Sequence, residues 1–371
     1  MNSTAKIAKF ITDDGFWQSS ESLALKAGKI EKSKLRGLPD NHLLFATSGS
    51  GGDPKWIALS KEALLLSANA VNIHLNVTPD STWGLALPPW HVGGFGVIAR
   101  SIEISCKLQV FPYSWDPHRF TMWLDSERVS HTSLVPTQVH DLVSAGCAPT
   151  GPLLAVVVGG GRLEQAIGHA ARSLGWPLLA SYGMTEAGSQ IATQPLAALG
   201  EPYCPEPIPV LSHWKVRNDP DGCLEISGPA LFSGTATAGN YIPRAPGWYS
   251  TRDRVSITAQ GLVPEGRADA MVKIAGELVD PGKVECSIRT RIGTFGEMIA
   301  VATVKDKRLG NRMILYAEAE VPEHMLIRAV REYDASVPRS QRLGVPHLVE
   351  KLPRSVLGKI QRHKLRLMPR S

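Results

Sequence analysis

Cysteine is scarce in this chain and does not cluster. The five cysteines, Cys106, Cys147, Cys204, Cys223 and Cys286, contain no CxxC pair. That spacing argues against a zinc site, and the odd number argues against a disulfide framework. The opening MNSTAKIAKFITDDG is too polar, and too soon acidic, for a secretory leader. A reducing, cytoplasmic setting with free thiols is the expectation. No apolar run reaches membrane-spanning length, so no membrane span is expected. Internal repeats and low-complexity segments are absent. A strong charge of either sign is absent too, with 20% charged residues and a net charge of +6. Basic residues gather only in Arg354 to Arg370 and Lys26 to Arg36, and no aromatic residue interleaves with the tail. Nucleic acid is therefore not an expected partner. A mildly basic balance does suit an enzyme whose substrates are anions.

What is present is enough for ordinary globular cores. Hydrophobic residues make up 43% of 371, a length that suits two domains, one of them large. Residues 1–39 read as a helical lead-in with an exposed basic stretch. Leu43 to Ala46 reads as a strand, followed by TSGSGGDPK (Thr47 to Lys55), then by a helix over Ile57 to Ala70 opened by Ser60. Strand-like runs at Trp83 to Leu87, Leu108 to Phe111, His131 to Val135, Leu153 to Val158 and Leu178 to Ser181 alternate with helical ones at Thr137 to Ser144 and Leu163 to Ser173. The run LLAVVV is wholly apolar, as a buried parallel strand should be. This alternation predicts a layered α/β domain. From about Pro202 the runs shorten and Pro and Gly become frequent, which predicts a β-rich lobe. Beyond Arg267 a helix from Val279 to Ile288, strands at Met298 to Val304 and Met313 to Glu318, and a helix from His324 to Glu332 predict a small α+β domain. The expected division is 1–267 and 268–371.

Six segments carry side chains suited to chemistry. TSGSGGDPK combines hydroxyls, glycine amides and Lys55, a set that suits phosphate, although the GK[ST] ending of the usual nucleotide loop is missing. Taken alone it is also a solvated turn. LPPWHVGGFG places His91 among glycines, where it lines a pocket or serves as an ordinary hydrogen-bonded histidine. VVVGGG ends in Gly159, Gly160 and Gly161, which allow a planar ligand close to the backbone, or simply turn a strand into a helix. SYGMTEAGS offers the flat face of Tyr182, the Thr185 hydroxyl and Glu186, a hard oxygen ligand for Mg²⁺; Thr185 is equally a helix cap. GWYSTRDR and EGRADAMVKIAGE offer Asp253 for ribose hydroxyls and Arg267 for ribose or phosphate, against the alternative of a surface ion-pair cluster. LPRSVLGKIQR sets Lys359 behind Gly358, and read alone it is a basic tail.

In this order the segments resemble the adenylate-forming superfamily of acyl-CoA synthetases, luciferases and peptide-synthetase adenylation domains. The resemblance covers about Leu43 to Arg362. The phrases HTSLVPTQVHDL, LPPWHVGGFGVIAR and GWYSTRDR are less generic. They resemble the o-succinylbenzoate–CoA ligases of menaquinone biosynthesis. The resemblance implies ATP, Mg²⁺ and CoA as cofactor and co-substrates, and a small carboxylic acid, o-succinylbenzoate, as the partner to be activated. It implies a large layered α/β N-terminal domain with a β-rich lobe and a small mobile α+β C-terminal domain. It places Thr47, Ser48, Gly49, Ser50, Gly51, Gly52 and Lys55 in a phosphate loop. It puts Gly159 to Gly161, Tyr182 and Gly183 at adenine, Thr185 at the α-phosphate and Glu186 at Mg²⁺. Asp253 and Arg267 fall at the ribose, Gly276 in the segment lining the CoA tunnel, Lys273 among the cofactor-binding residues, and Asp269 at a hinge. Lys359 is implied to bridge the carboxylate and the α-phosphate. His91, Gly183 and Ser189 are implied at the acid. Arg100 is the candidate partner for its second carboxylate, or else a surface arginine on the helix after Gly96.

Two departures stand out. The family's usual large lobe has roughly a hundred more residues before the phosphate loop, whereas 46 precede Thr47 here; a reduced first subdomain is expected, and a homodimer stays open. Gly51 stands where the family usually has Thr, which predicts a weaker grip on pyrophosphate. The alternatives are another aryl- or fatty-acyl-CoA ligase, a stand-alone module that loads a carrier protein, and a non-catalytic nucleotide-binding relic.

Overall fold

A computed structural model describes residues 3–33, 35–47, 55–237, 239–355, 358 and 360–365. The lead-in is helical only at its start. Helices α1 (Ser3–Ile11) and α2 (Asp14–Gln18) give way to a hairpin of β1 (Leu23–Lys26) and β2 (Lys29–Lys32). α1 turns Ile7, Ala8 and Ile11 inward as an amphipathic helix does. Asp13 caps α2 by accepting from the Gly15 amide. In the hairpin Leu23 and Leu25 are buried, while Lys26 and most of β2 face water. The basic stretch is thus the outer face of an edge strand, where lysines discourage further pairing.

The strand-then-helix reading around the Gly/Ser loop is corrected. β3 (His42–Thr47) pairs antiparallel with β4 (Lys55–Ser60), Thr47 facing Lys55. Ile57, Ala58 and Leu59 are buried as strand residues, and α3 (Lys61–His74) begins only after them. Ser60 does cap that helix, accepting from the Ala63 amide at 3.0 Å.

Next come β5 (Thr82–Leu85), α4 (Val92–Glu103), β6 (Lys107–Val110), α5 (Pro117–Ser126), β7 (His131–Leu134), α6 (Pro136–Ser144), β8 (Ala155–Val158), α7 (Gln165–Ser173) and β9 (Leu178–Met184). Their strands form a parallel sheet in the order β6-β5-β7-β8-β9, extended by antiparallel β10 (Ser189–Thr193). β8 is buried on both faces, Val157 in one core and Val156 and Val158 in another. Helices α3 and α4 lie between the two sheets: one core joins Leu43 and Ile57, Leu64 and Val71 of α3, Phe95 of α4, and Trp83 and Val157. Helices α5, α6 and α7 cover the far face through Phe120, Leu142 and Ile167. This is the layered α/β arrangement expected.

The β-rich stretch holds β11 (Lys215–Asn218), β12 (Cys223–Ser227), β13 (Gly234–Thr237), β14 (Asn240–Pro243), β15 (Tyr249–Thr258) and β16 (Gly261–Arg267). It is not one lobe. β11, β12, β15 and β16 form an antiparallel sheet, whereas β13 and β14 extend the first sheet beyond β4. After the turn Ala268–Ala270 come β17 (Val272–Ile274), β18 (Glu277–Val279), α8 (Pro281–Ile292), β19 (Ile299–Asp306), β20 (Gly310–Glu318), α9 (Glu323–Ser336), β21 (His347–Val349) and α10 (Arg362–Leu365). α8 starts two residues later than expected because Asp280 caps it through the Gly282 and Lys283 amides. Cores around Ile288, Val301, Leu315 and Leu326, and around Ala302 and Leu352, are built from residues after Leu262, where the earlier cores end. No helix among the described residues is long and apolar enough to cross a membrane.

Candidate active site

The parallel strands of the second sheet end together at one edge, where open α/β sheets bind ligands. β8 runs into Gly159, whose amide donates to the Leu134 carbonyl at 3.1 Å, and then into exposed Gly160 with φ of 78°. A Cβ there would meet left-handed strain, so glycine keeps this edge open. β9 continues three residues beyond its expected end, so that Tyr182 and Gly183 lie within the strand and Thr185 and Glu186 form a single 3₁₀ turn rather than the cap of a long helix. Gly183 faces β10 so closely that a Cβ would lie 1.7 Å from the Ser189 carbonyl oxygen.

Tyr182 meets the antiparallel sheet here. Its hydroxyl donates to Asp253 Oδ2 at 2.6 Å. Asp253 on β15 faces Arg267 on β16 in the strand register, and Arg267 Nη1 donates to Asp253 Oδ1 at 3.1 Å. Arg267 also grips Asp269 through two bonds of 2.8 Å. Burial, then the Asp253 carboxylate, pushes the Tyr182 hydroxyl far above its ordinary value, so it acts as a donor. The Asp269 hydrogen bond, ahead of Asp253, raises Arg267, and the same bond lowers Asp269. Each Asp253 oxygen holds one bond and keeps acceptor capacity for a diol. The charge of Glu186 is felt at Tyr182, Tyr249 and Arg267, which puts it in the same cluster. No salt bridge engages the Glu186 carboxylate among the described residues, and no group of three His, Cys, Asp or Glu among them could hold a metal by itself. One carboxylate with phosphate and water oxygens is the usual coordination of Mg²⁺, and this donor set fits it.

The loop expected to bind phosphate is described only at its base. Thr47 Oγ1 donates to the Lys55 carbonyl at 3.0 Å. Ser48, Gly49, Ser50, Gly51 and Gly52 lie outside the described residues, as does Lys359. Gly358, before Lys359, packs on the start of α6: an added Cβ would lie 2.2 Å from Thr137 Oγ1. The segment between α8 and β19 also touches α6 through His140, whose Nε2 lies 3.1 Å from the Thr294 carbonyl. Asp141 first, with the Thr294 carbonyl and Glu297, raises His140 above its ordinary value against a burial that lowers it. A cleft of about 730 Å³ runs along this junction, lined by Trp90, Trp115, His140, Lys351 and Arg354. Lys273 and Gly276 sit on the β17–β18 hairpin, and no hydrogen bond among the described residues ties them to Tyr182 or Asp253. Gly276 has φ of 91° and open space around it.

The residues expected at the acid gather around α4. His91 precedes its first turn beside Trp90, ring centroids 6.4 Å apart. Arg100 is not a surface arginine. It is 2% exposed, because α4 is wedged between two sheets. Its guanidinium lies over the Trp83 ring at 5.0 Å and donates to Ser133 Oγ at 3.2 Å and Gln190 Oε1 at 2.8 Å. Its Nε has no partner, and no carboxylate pairs with it among the described residues. Burial pushes the Arg100 pKa down to about 9. Gly96, one turn earlier, lies close to both Arg100 and Ser189: a Cβ added there would sit 3.3 Å from Arg100 Nη2 and 3.4 Å from Ser189 Oγ. Ser133 and Gln190 were not singled out from the sequence; a serine on a buried strand and a glutamine after a motif carry no signal of their own.

A family model described as AMP-binding enzyme matches residues 4–235. The chain is 26% identical over 339 residues to the 2-succinylbenzoate–CoA ligase of Listeria monocytogenes serotype 4b, covering 86% of this chain and 68% of the relative. It is 29% identical over 345 residues to a probable 2-succinylbenzoate–CoA ligase of Mycobacterium tuberculosis, covering 88% and 84%. Among solved structures, a variant of E. coli MenE with bound OSB-AMS superposes with a TM-score of 0.71 at 24% identity, over 88% of this chain and 68% of that one. ATP-bound MatB from Rhodopseudomonas palustris gives 0.72 at 22% identity, over 88% and 67%.

Proposed function

The chain belongs to the AMP-binding enzyme family, and from that premise we propose that it is an ATP-dependent acid–CoA ligase whose acid is o-succinylbenzoate, acting in menaquinone biosynthesis. The observation that carries the choice of acid is Arg100, a cation held 2% exposed with neutral partners only. A buried charge without a counter-charge is costly unless a ligand brings one. An acid with two carboxylates does so: one reacts and the other pairs with Arg100. Relatives named 2-succinylbenzoate–CoA ligase support the same reading.

In the first half-reaction a carboxylate oxygen attacks the α-phosphorus of ATP, and pyrophosphate leaves. A carboxylate needs no general base, so the protein's work is positioning and charge neutralisation. Asp253, held by Tyr182 and Arg267, takes the ribose hydroxyls. Gly159 to Gly161 and the fixed ring of Tyr182, with Gly183, take adenine. Thr185 takes the α-phosphate, and Thr47 and Lys55 with residues 48–52 take the remaining phosphates. Glu186 would hold Mg²⁺, which when bound neutralises phosphate charge. Lys359 bridges the two reacting groups. His91, Gly183 and Ser189 line the acid. In the second half-reaction the CoA thiol attacks the acyl carbonyl and AMP leaves. Lys273 and Gly276 would meet CoA after the small domain, 268–371, turns about Asp269. Separate cores on either side of that residue support such a turn.

The test is to mix the protein with Mg-ATP, CoA and o-succinylbenzoate, with benzoate and a medium-chain fatty acid in parallel, and to follow AMP and thioester by mass spectrometry. A thioester with o-succinylbenzoate alone is expected. Turnover confined to another acid would keep the ligase and overturn the substrate.

A further inference from the structure

Arg100 does not hold its place alone, and a neutral partner that holds it lies on β10. Gln190 is 4% exposed. Its Nε2 donates to Ser181 Oγ at 3.0 Å and to Thr193 Oγ1 at 2.9 Å. With both donors directed at hydroxyls, the amide orientation is fixed and Oε1 is left for Arg100 Nη2 at 2.8 Å. The Gln190 carbonyl is fixed as well, accepting from Trp214 Nε1 at 2.9 Å. The backbone is bent to achieve this. Ser189 has φ of 126°, and the β9–β10 pairing slips between Gln190 and Ala192. A non-glycine residue in that region costs about 1–3 kcal/mol and persists where its surroundings demand it.

Resting on the reading of Arg100 as the receptor for a second carboxylate, we infer that Gln190 is the positioning residue that gives the site its selectivity. Its amide oxygen holds the guanidinium beside Gly96 and Ser189 while leaving the positive charge unneutralised. A glutamate in the same place would make the same contact and cancel the charge. The Ser181 and Thr193 hydroxyls can rotate to donate to it, so the pocket would keep its shape. Gln190 thereby separates two properties of Arg100, its position and its free charge, that a salt bridge would merge.

The experiment measures kcat/KM for o-succinylbenzoate and for the same acid lacking the ring carboxylate, in the wild-type chain, Gln190→Glu and Gln190→Met. Wild type is expected to prefer the dicarboxylate. In Gln190→Glu that preference falls roughly tenfold or more, the size of a lost charge-assisted interaction, and it falls through KM for the dicarboxylate rather than kcat. Gln190→Met, which removes the aim but not the charge, loses part of the preference in the same direction. It decides the matter alone if the glutamate variant does not fold. A wild type with no preference overturns the reading of the acid, and this inference with it. A wild type that prefers the dicarboxylate, with both folded variants keeping that ratio within about twofold, overturns the role of Gln190 and leaves the reading of Arg100 standing.

Discussion

Replacing Arg100 with methionine separates a cation kept for a ligand from a cation kept for the fold. Burial takes the Arg100 pKa from 12.5 to about 9. That difference corresponds to about 5 kcal/mol spent on keeping the charge in the site. Against it stand two charge-assisted hydrogen bonds, about 1.5 kcal/mol each, and the Trp83 stacking, about 1 kcal/mol. Arg100→Met removes the cost and the gains together, and the thioether fills most of the stem's volume. Gln190 Oε1 then loses its partner, a further cost of about 1 kcal/mol. The sum lies near zero, so the variant should unfold within about 1 kcal/mol of wild type, whereas losing one partner of a paired buried charge costs about 3–5 kcal/mol. All nine tryptophans precede residue 249, so their fluorescence in urea reports the part of the chain that carries Arg100. Preference for the dicarboxylate acid should vanish in the same variant. A loss of stability of about 3 kcal/mol or more would refute the reasoning and make Arg100 a structural clamp.

Other consequences follow from the same geometry. Tyr182→Phe frees Asp253 Oδ2, removes a 2.6 Å bond to a carboxylate, and should raise KM for ATP roughly tenfold with a smaller change in kcat; an unchanged KM would separate Asp253 from the ribose. Lys359→Ala should abolish adenylate formation yet spare thioester formation from a supplied acyl-adenylate, and equal loss in both halves would end the role given to Lys359. His131, 1% exposed, is pushed down to about 4 by burial and by the Arg100 charge. Its folded pKa lies below its unfolded value, so the unfolded chain takes up the proton first. Stability is then fully present above about pH 6.5 and is lost as pH falls toward 4, by about 2 kcal/mol near pH 5. Denaturation midpoints measured in that window in wild type and His131→Gln check this, the variant showing the shallower loss.

The second sheet was legible because its central strands β5, β7 and β8 are buried along their whole length. LLAVVV has no polar residue to spare, and its ends are marked by glycine and proline. The first sheet was not, for three separate physical reasons. β2 lies at an edge, so Lys29, Glu31 and Lys32 of this strand face water and mimic a solvated loop. β4 runs without a break into α3, so that KWIALS and KEALLL read as one apolar segment, and only the Ser60 cap marks the true boundary. β13 pairs with β4 across a long stretch of chain, and no local pattern encodes such a partner. The nucleotide residues were named through motif resemblance. That Asp253 and Arg267 meet is a consequence of β15–β16 register, which spacing alone does not reveal.

Arg100 shows where a local reading can be carried further. α4 reads VGGFGVIARSIE, with Arg100 and Glu103 its only charges. Phe95, Val97, Ile98 and Ala99 are all 0% exposed, so buried side chains occupy every side of the helix within a turn of Arg100. An arginine in a helix apolar all round has no route by which its stem can carry the charge to water. It must be paired, neutralised or kept for something that arrives. Glu103 does not pair with it, being held instead by Asn69 at 2.6 Å and Asn72 at 2.8 Å. Asn72 also donates to the Arg100 carbonyl at 2.9 Å, which ties the helix backbone to α3 at that residue. The nearest carboxylate on the helix is thus turned away from the guanidinium, and the amide of Gln190 stands where a carboxylate would have cancelled its charge. Both choices leave the guanidinium without a counter-charge, which is what the proposed receptor for a second carboxylate needs.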